Sequence, residues 1–167
     1  MMDRRTVAGI FALIWMCVIF AFSAQKQEES GAVSEAFSYR MVSSAGTFFR
    51  WNLDEEEMHR IASAIENTVR KAAHMTEFAI LAVLYYLWLG KWQSQTVKRG
   101  LSAWTLAALY AASDETHQLF VPGRAGRFSD VMIDSAGAFL GIFIFIGVKK
   151  CISFLWNRRR YRGQESS

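Results

Sequence analysis

Histidine and carboxylate side chains occur at helical spacing in two parts of this sequence. Arg70, His74 and Glu77 stand at i, i+4 and i+7, and Asp114 and His117 stand three residues apart. On an α-helix, each of these spacings places the side chains on one face. Histidine titrates near neutral pH, and a carboxylate can orient it or accept its proton. The pattern therefore predicts a site suited to proton transfer.

The candidate catalytic residues all fall near the ends of apolar segments. They are His74, Glu77, Asp114, Glu115, His117 and Asp134. Asp134 shares a helical stripe with Gly137 and Gly141, and small residues let another helix approach closely. We therefore expect Asp134 to face the interior of a helix bundle. Ionisable groups at membrane depth are costly, which favours a functional role for this set over a purely structural one.

Guanidinium, amide and hydroxyl groups near these acids are the candidates for substrate binding. They are Ser23, Gln25, Arg70, Gln118, Arg124 and Arg127. Residues 122–127 read Pro-Gly-Arg-Ala-Gly-Arg, which predicts a tight turn carrying two arginines. Guanidinium groups suit phosphate oxygens, so the arginines are expected to hold phosphate or pyrophosphate. For Ser23, Gln25 and Gln118, hydrogen bonding between helices is the favoured alternative.

The charge balance of this cluster favours an anionic ligand over a metal ion. Its acids are Glu77, Asp114, Glu115, Asp130 and Asp134, and its bases are Arg70, Lys71, Arg124 and Arg127. Their charges nearly cancel, whereas a divalent cation held by oxygen ligands normally keeps an acidic excess. The two histidines could bind zinc with carboxylates, but the sequence has no HExxH spacing. No metal ligand is therefore assigned, and no cofactor is identified.

Four apolar segments position these residues, and crossing the hydrocarbon requires about 20 residues each. The segments are 7–24, 72–90, 101–120 and 131–150. The third and fourth reach spanning length only by including polar residues, which need partners because lipid offers none. The sequence predicts an all-α integral membrane bundle of four transmembrane helices, forming a single domain over residues 1–167. A cleaved signal peptide is the alternative for the first segment.

The distribution of Lys and Arg predicts the orientation of the bundle. Segments 1–6, 91–100 and 149–167 hold 11 of the 19 basic residues. The positive-inside rule places these segments, and both termini, in the cytoplasm. All polar helix ends then face outside the cytoplasmic membrane. Because the basic residues cluster beside apolar segments, the net charge of +4 indicates orientation rather than nucleic-acid binding.

Residues 26–71 form the one long loop, which the same rule places outside the cytoplasm. Asp54 and Glu57 resemble a capping box at the start of a helix. Apolar residues recur at helical spacing after them, and a weaker stripe precedes them at Val33, Phe37, Met41, Ala45 and Phe48. We expect both halves of the loop to be helical, lying at the outer membrane surface or folded over the bundle.

Four segments together resemble the signatures of the VanZ family. Residues 22–25 are similar to its FSxQ motif, and residues 70–78 to its RKxxHxxEF/Y segment. Residues 114–124 resemble DExHQxFxPGR, the most specific of the four, and residues 130–141 resemble the closing pattern D-x-x-x-[DN]-x-x-G-x-x-x-G. The resemblance implies a small bacterial cell-envelope membrane protein. Because the family is named for teicoplanin resistance, it also implies a role in glycopeptide resistance or envelope maintenance.

Three functions fit these features. The first is an outward-facing polar pocket that handles a lipid-linked or phosphate-bearing substrate, with hydrolysis or transfer as the chemistry. The second is binding without chemistry of membrane lipids, a lipid headgroup, a cell-wall precursor or a partner protein. The third is a small proton-coupled transporter, which needs polar residues at the midplane. The inner halves of the segments are almost purely apolar, so transport would require an oligomer.

Overall fold

The computed structural model describes residues 3–90 and 92–164, with side chains up to residue 158. Residues 1, 2, 91 and 165–167, which belong to the predicted cytoplasmic segments, lie outside the described residues. The described chain is helical, without strands. Its elements are α1 (Arg4–Ser23), α2 (Gln27–Phe49), α3 (Glu55–Leu89), α4 (Thr96–Gln118) and α5 (Phe128–Gln164).

Three of these helices are long and apolar enough to cross a membrane. They are α1, α3 and the Phe128–Arg158 part of α5. Helix α4 has 23 residues, and at 1.5 Å per residue its length of about 35 Å would suffice. Charged residues at both of its ends, including Arg99 and Asp114, leave only its middle apolar. The bundle of four membrane-spanning helices therefore stays a prediction, and three of its spans meet the hydropathy requirement.

Helix α3 joins the second half of the predicted outer loop to the second apolar segment without a break. It begins with the predicted capping box: the Glu57 amide donates to Asp54 Oδ1 at 2.8 Å, and the Asp54 amide donates to Glu57 Oε2 at 3.2 Å. No glycine or proline interrupts the 35 residues that follow, so nothing ends the helix at residue 71. Its length of about 52 Å exceeds the hydrocarbon thickness of roughly 30 Å by about 20 Å.

Helix α2 packs against the first half of α3 to form a helical hairpin. Val42 and Gly46 are buried in this contact, and the Tyr39 ring stacks on His59 with centroids 4.5 Å apart. Arg50 takes the left-handed conformation (φ 56°) that ends α2. The predicted apolar stripe of α2 does not form this contact, because Val33, Phe37, Met41 and Phe48 are exposed.

The closest helix contact joins α5 to α3 through two glycines. A Cβ atom added at Gly141 would lie 2.7 Å from the Ala79 carbonyl oxygen, and one at Gly137 would lie 2.8 Å from Met75 Cα. The prediction that this stripe faces another helix of the bundle is confirmed. With Asp134 on the same stripe, the carboxylate is buried, as predicted.

Aromatic side chains link the helices through backbone carbonyl groups. Trp15 Nε1 of α1 donates to the Glu77 carbonyl at 2.9 Å, and Tyr110 OH of α4 donates to the Met16 carbonyl at 2.7 Å. These bonds fix the rotation of α1 against α3 and α4. The end of α1, the middle of α3, the end of α4 and the start of α5 meet at one end of the bundle, which we call the polar end.

Candidate functional site

A cavity of about 180 Å³ opens at the polar end, between α3, α4, α5 and the loop of residues 119–127. Seven residues proposed from the sequence line it: Arg70, His74, Glu115, Gln118, Arg124, Arg127 and Asp134. They come from two helices, a loop and the start of a third helix. The cavity therefore exists only when these elements are packed together.

Buried polar side chains form the floor of the cavity. Asp134, Glu115 and Gln118 are 5%, 7% and 9% exposed. Glu115 Oε1 accepts a hydrogen bond of 2.5 Å from the Arg127 amide, so one floor carboxylate fixes the loop above it. The Asp134 carboxylate forms no hydrogen bond with another described residue. A buried carboxylate without a donor is costly, so Asp134 would be stabilised by a hydrogen-bond donor on a ligand.

The α3 wall of the cavity carries two ion pairs. Lys71 Nζ lies 3.4 Å from Asp130 Oδ1 and bridges α3 to α5. Arg70 Nη1 lies 3.7 Å from Glu66, and its Nη2 donates to Asn67 Oδ1 at 3.2 Å, both on the same helix. Both pairs are partly buried, with side-chain exposures of 24% and 25% for Arg70 and Glu66 and of 36% and 32% for Lys71 and Asp130. Their main effect is to neutralise these two cations within the protein.

Arg124 binds the end of α1. Its Nε donates to the Gln25 carbonyl at 2.9 Å, and its Nη2 donates to the Phe22 carbonyl at 3.2 Å. These carbonyls lie at a helix C-terminus, where a cation is favoured. Burial, followed by the nearby charge of Arg70, lowers the pKa of Arg124, which still remains charged at neutral pH. Gln25 thus acts through its backbone carbonyl group.

Asp114 joins α1 to α4 beneath the loop. Ser23 Oγ donates to Asp114 Oδ2 at 2.7 Å, and Gln118 Nε2 donates to the same oxygen at 3.1 Å. Asp114 is 3% exposed, and its Oδ1 is buried without a hydrogen-bond partner among the described residues. Ser23 therefore hydrogen-bonds between two helices, as the favoured alternative for it predicts, whereas Gln118 bonds within its own helix and also lines the cavity.

His74 and Glu77 form a pair on the inner face of α3. His74 Nδ1 lies 3.4 Å from Glu77 Oε2, and both side chains are largely buried. Asp134 of α5 lies within electrostatic range of the same imidazole. The i, i+3 spacing read from the sequence thus yields a contact. It also places a titratable ring in the cavity wall with a carboxylate behind it.

His117 lies on a different face of α4 and points toward α1. Its ring stacks on Phe20 with centroids 4.3 Å apart, and its Nε2 is buried without a hydrogen-bond partner in the described part of the chain. The cavity lining contains His74 but not His117. The structure therefore does not bring the two predicted proton carriers into the same cavity wall.

Seven lining residues were not proposed as site residues from the sequence: Gln27, Asn67, Lys71, Gly123, Ala125, Asp130 and Ile133. Asn67 and Lys71 belong to the face of α3 that carries His74, at i−7 and i−3. Their spacing from His74 is the signal that identifies them, but the predicted second span begins only at residue 72. Gln27 had no local signal. It reaches the cavity because Gly123, with a φ of +80°, brings the loop close to the start of α2.

The arrangement of the cavity suits a ligand with several polar groups. Among the described residues, no group of three or more His, Cys, Asp or Glu side chains is placed to hold a metal ion. The cavity combines buried carboxylates at its floor with arginines nearer its mouth. Such a site can bind a ligand with several polar groups, and His74 can accept or donate a proton there.

A family model described as VanZ/LLP1 matches residues 8–152. This range contains the whole of α2, α3 and α4 and most of α1 and α5, and it includes every residue that lines the cavity. No curated protein and no solved structure matches the chain.

Proposed function

The chain belongs to the VanZ family, and from that premise we propose that the cavity binds the phosphate-bearing headgroup of a cell-envelope lipid or lipid-linked cell-wall precursor. The observation that best supports this proposal is the cavity of about 180 Å³, which has the Arg127 side chain at its mouth and Arg124 beside it. Guanidinium groups bind phosphate oxygens through paired N–H donors, which makes this mouth suited to an anionic headgroup.

The proposed location supports this substrate class. Three helices apolar enough to cross a membrane, and the length of α3 beyond the hydrocarbon thickness, support a polar end near a lipid–water interface. The distribution of Lys and Arg supports a topology with both termini in the cytoplasm and the cavity facing outward from the bacterial cytoplasmic membrane. Headgroups of the outer leaflet and lipid-linked wall precursors are then within reach.

Binding of an anionic lipid tests the proposal directly. The purified full chain is titrated with dioleoyl phosphatidylglycerol or with dioleoylglycerol, which lacks the phosphate, and complexes are counted by native mass spectrometry. We expect phosphatidylglycerol to bind more tightly. Arg127→Gln should reduce its affinity about tenfold, the effect of losing one charge-assisted contact.

The matched control is Arg60→Gln, because Arg60 lies on the exposed face of the α2–α3 hairpin, 76% exposed at its side chain. It should leave lipid binding unchanged. Equal binding of both lipids, or equal losses in the two variants, would refute a phosphate site at the cavity.

The cellular role that we propose is glycopeptide resistance or envelope maintenance. Expression of the chain in a teicoplanin-susceptible bacterium should raise the inhibitory concentration of the antibiotic. Arg127→Gln should return it toward the empty-vector value at unchanged protein level, whereas Arg60→Gln should not. No change with the wild-type chain would remove the resistance role and leave lipid binding to be judged by the titration.

Catalysis is a second candidate because His74 lines the cavity with Glu77 3.4 Å from its Nδ1. A histidine oriented by a carboxylate is the usual arrangement of a general base. If the protein hydrolyses or transfers the bound headgroup, the wild-type chain should convert the lipid to product. The His74→Gln variant should then lose this turnover but still bind the lipid. If the lipid is recovered unchanged after incubation with the wild-type protein, catalysis is refuted and the site only binds the lipid.

A further inference from the structure

The least exposed charged groups of the cavity are carboxylates, whereas the most exposed is an arginine. At the floor, Asp134 and Glu115 are only 5% and 7% exposed. The Arg127 side chain is exposed at the mouth, and Arg124 is partly buried beside it. A ligand entering past Arg127 thus meets the Asp134 and Glu115 carboxylates at the bottom, with the Lys71–Asp130 pair in the wall.

The floor carboxylate of Asp134 has no fixed cation of its own. Lys71 is paired with Asp130, and Arg70 is paired with Glu66. Arg124 donates to backbone carbonyls of α1 instead. None of these three cations therefore binds Asp134.

His74 is the remaining titratable base near Asp134, and its Nδ1 faces Glu77. A buried carboxylate in this situation is stabilised by a donor that comes with the ligand.

Building on the proposed headgroup site, we propose that the cavity recognises a phosphoamine, a group that carries both a phosphate and a primary ammonium. The ammonium donates to Asp134 at the floor, and the phosphate accepts from Arg127 and Arg124 at the mouth. The order of groups in an aminophospholipid matches this polarity. The amine is the terminal group and enters first, and the phosphate follows with the acyl chains behind it.

The size of the cavity fits this ligand class. Its volume of about 180 Å³ lies below the roughly 300–1,000 Å³ of pockets that enclose drug-sized ligands. A cavity of this volume is on the scale of one phosphoamine headgroup rather than of a glycan. A sugar-bearing lipid could place only its phosphate or one short polar arm in the cavity.

The experiment compares headgroups on identical dioleoyl chains, with the full-length protein and native mass spectrometry. Phosphatidylethanolamine should bind about tenfold tighter than phosphatidylcholine, whose ammonium has no N–H donor. It should also bind about tenfold tighter than phosphatidylglycerol, which has the phosphate but no ammonium. Phosphatidylglycerol binding as tightly as phosphatidylethanolamine would overturn the inference and leave the phosphate site standing.

Two variants separate the inference from the proposal on which it rests. Asp134→Asn should abolish the preference for phosphatidylethanolamine while phosphatidylglycerol still binds. Arg127→Gln should weaken both lipids equally. If Asp134→Asn retains the preference, the amine does not bind at Asp134 and the inference fails. If Arg127→Gln weakens neither lipid, the phosphate site itself fails.

Two further measurements keep the test decisive. If Asp134→Asn gives no folded protein, the series from ethanolamine to N-methylated headgroups on wild-type protein decides, because each methyl group removes a donor but not the charge. Soluble phosphoethanolamine identifies the source of the ligand. If soluble phosphoethanolamine displaces bound phosphatidylethanolamine at concentrations similar to those of the lipid, the site is assigned to the free phosphoamine. If only added phosphatidylethanolamine displaces the bound lipid, the site is assigned to the lipid headgroup. Either result supports phosphoamine recognition, and displacement by neither refutes it.

Discussion

Ser23, the last residue of α1, donates its hydroxyl group to Asp114 of α4 at 2.7 Å, and both residues are buried. This bond is the polar contact that brings the end of the first helix to the end of the fourth. Arg124 makes a second link by donating to the Phe22 and Gln25 carbonyls. Together they close one side of the polar end.

Ser23→Ala should destabilise the bundle because it leaves Asp114 with Gln118 as its remaining donor. Loss of a buried hydrogen bond to a charged group costs about 1.5–3 kcal/mol. The free energy of unfolding in mixed micelles measures the change. Thr105→Ala is the matched control, since that hydroxyl bonds only its own helix, to the Leu101 carbonyl at 3.0 Å on the exposed face. Equal stability of the two variants would contradict a structural role for the Ser23 bond.

Gly141→Leu should prevent α5 from packing against α3. The first carbon of the new side chain would already lie 2.7 Å from the Ala79 carbonyl oxygen, a contact that backbone cannot relieve without separating the helices. We expect a marked loss of monodisperse protein in size-exclusion chromatography. Gly147→Leu on the same helix is the control, because nothing lies within 4 Å of its added Cβ. Similar yields from both variants would place the Gly141 face toward lipid.

His74 and His117 should respond differently to substitution, because they face different neighbours. His117→Phe keeps a ring against Phe20 and removes a buried nitrogen that has no described partner, so stability and lipid binding should change little. His74→Phe replaces a polar group of the cavity wall and should weaken headgroup binding. Both are measured by the same lipid titration. A larger binding loss for His117→Phe would show that a residue outside the cavity lining controls the ligand.

Cysteine labelling should confirm the predicted topology. In a background where Cys17 and Cys151 are replaced by serine, a cysteine at position 56 should react with an impermeant maleimide in intact cells. Cysteines at positions 95 and 164 should react only after the cells are permeabilised. The expectation follows from the 11 basic residues in the segments assigned to the cytoplasm. The reverse pattern would turn the cavity toward the cytoplasm and change the accessible lipids.

Periodicity in the sequence was sufficient to identify contacts that depend on one helix face. The capping box at Asp54 and the glycine stripe at Gly137 and Gly141 are both local patterns, and the structure contains both. The continuity of α3 was also readable, since no glycine or proline separates its halves. The change from charged to apolar composition near residue 72 nevertheless suggests a helix boundary that the structure does not have.

Contacts that depend on how helices rotate against each other could not be predicted in this way. Spacing placed Asp114 and His117 on neighbouring positions of one helix, but packing decides where that face points. The His117 ring stacks on Phe20 of α1, whereas Asp114 accepts a hydrogen bond from Ser23. Arg124 was assigned to phosphate from its residue type alone. Its bonds to α1 carbonyls arise from a loop fold that no local pattern specifies.

The uninterrupted course of α3 has a mechanical consequence. The same rigid rod carries the α2 contact near its start and the cavity residues Arg70 and His74 near its middle. Without a glycine or proline hinge, a sideways push on the projecting hairpin tilts the whole rod, and a twist applied there turns the cavity wall. The hairpin is therefore mechanically coupled to the site: in the predicted topology, a partner that binds the hairpin outside the membrane would move one wall of the cavity, while α5 carries the other.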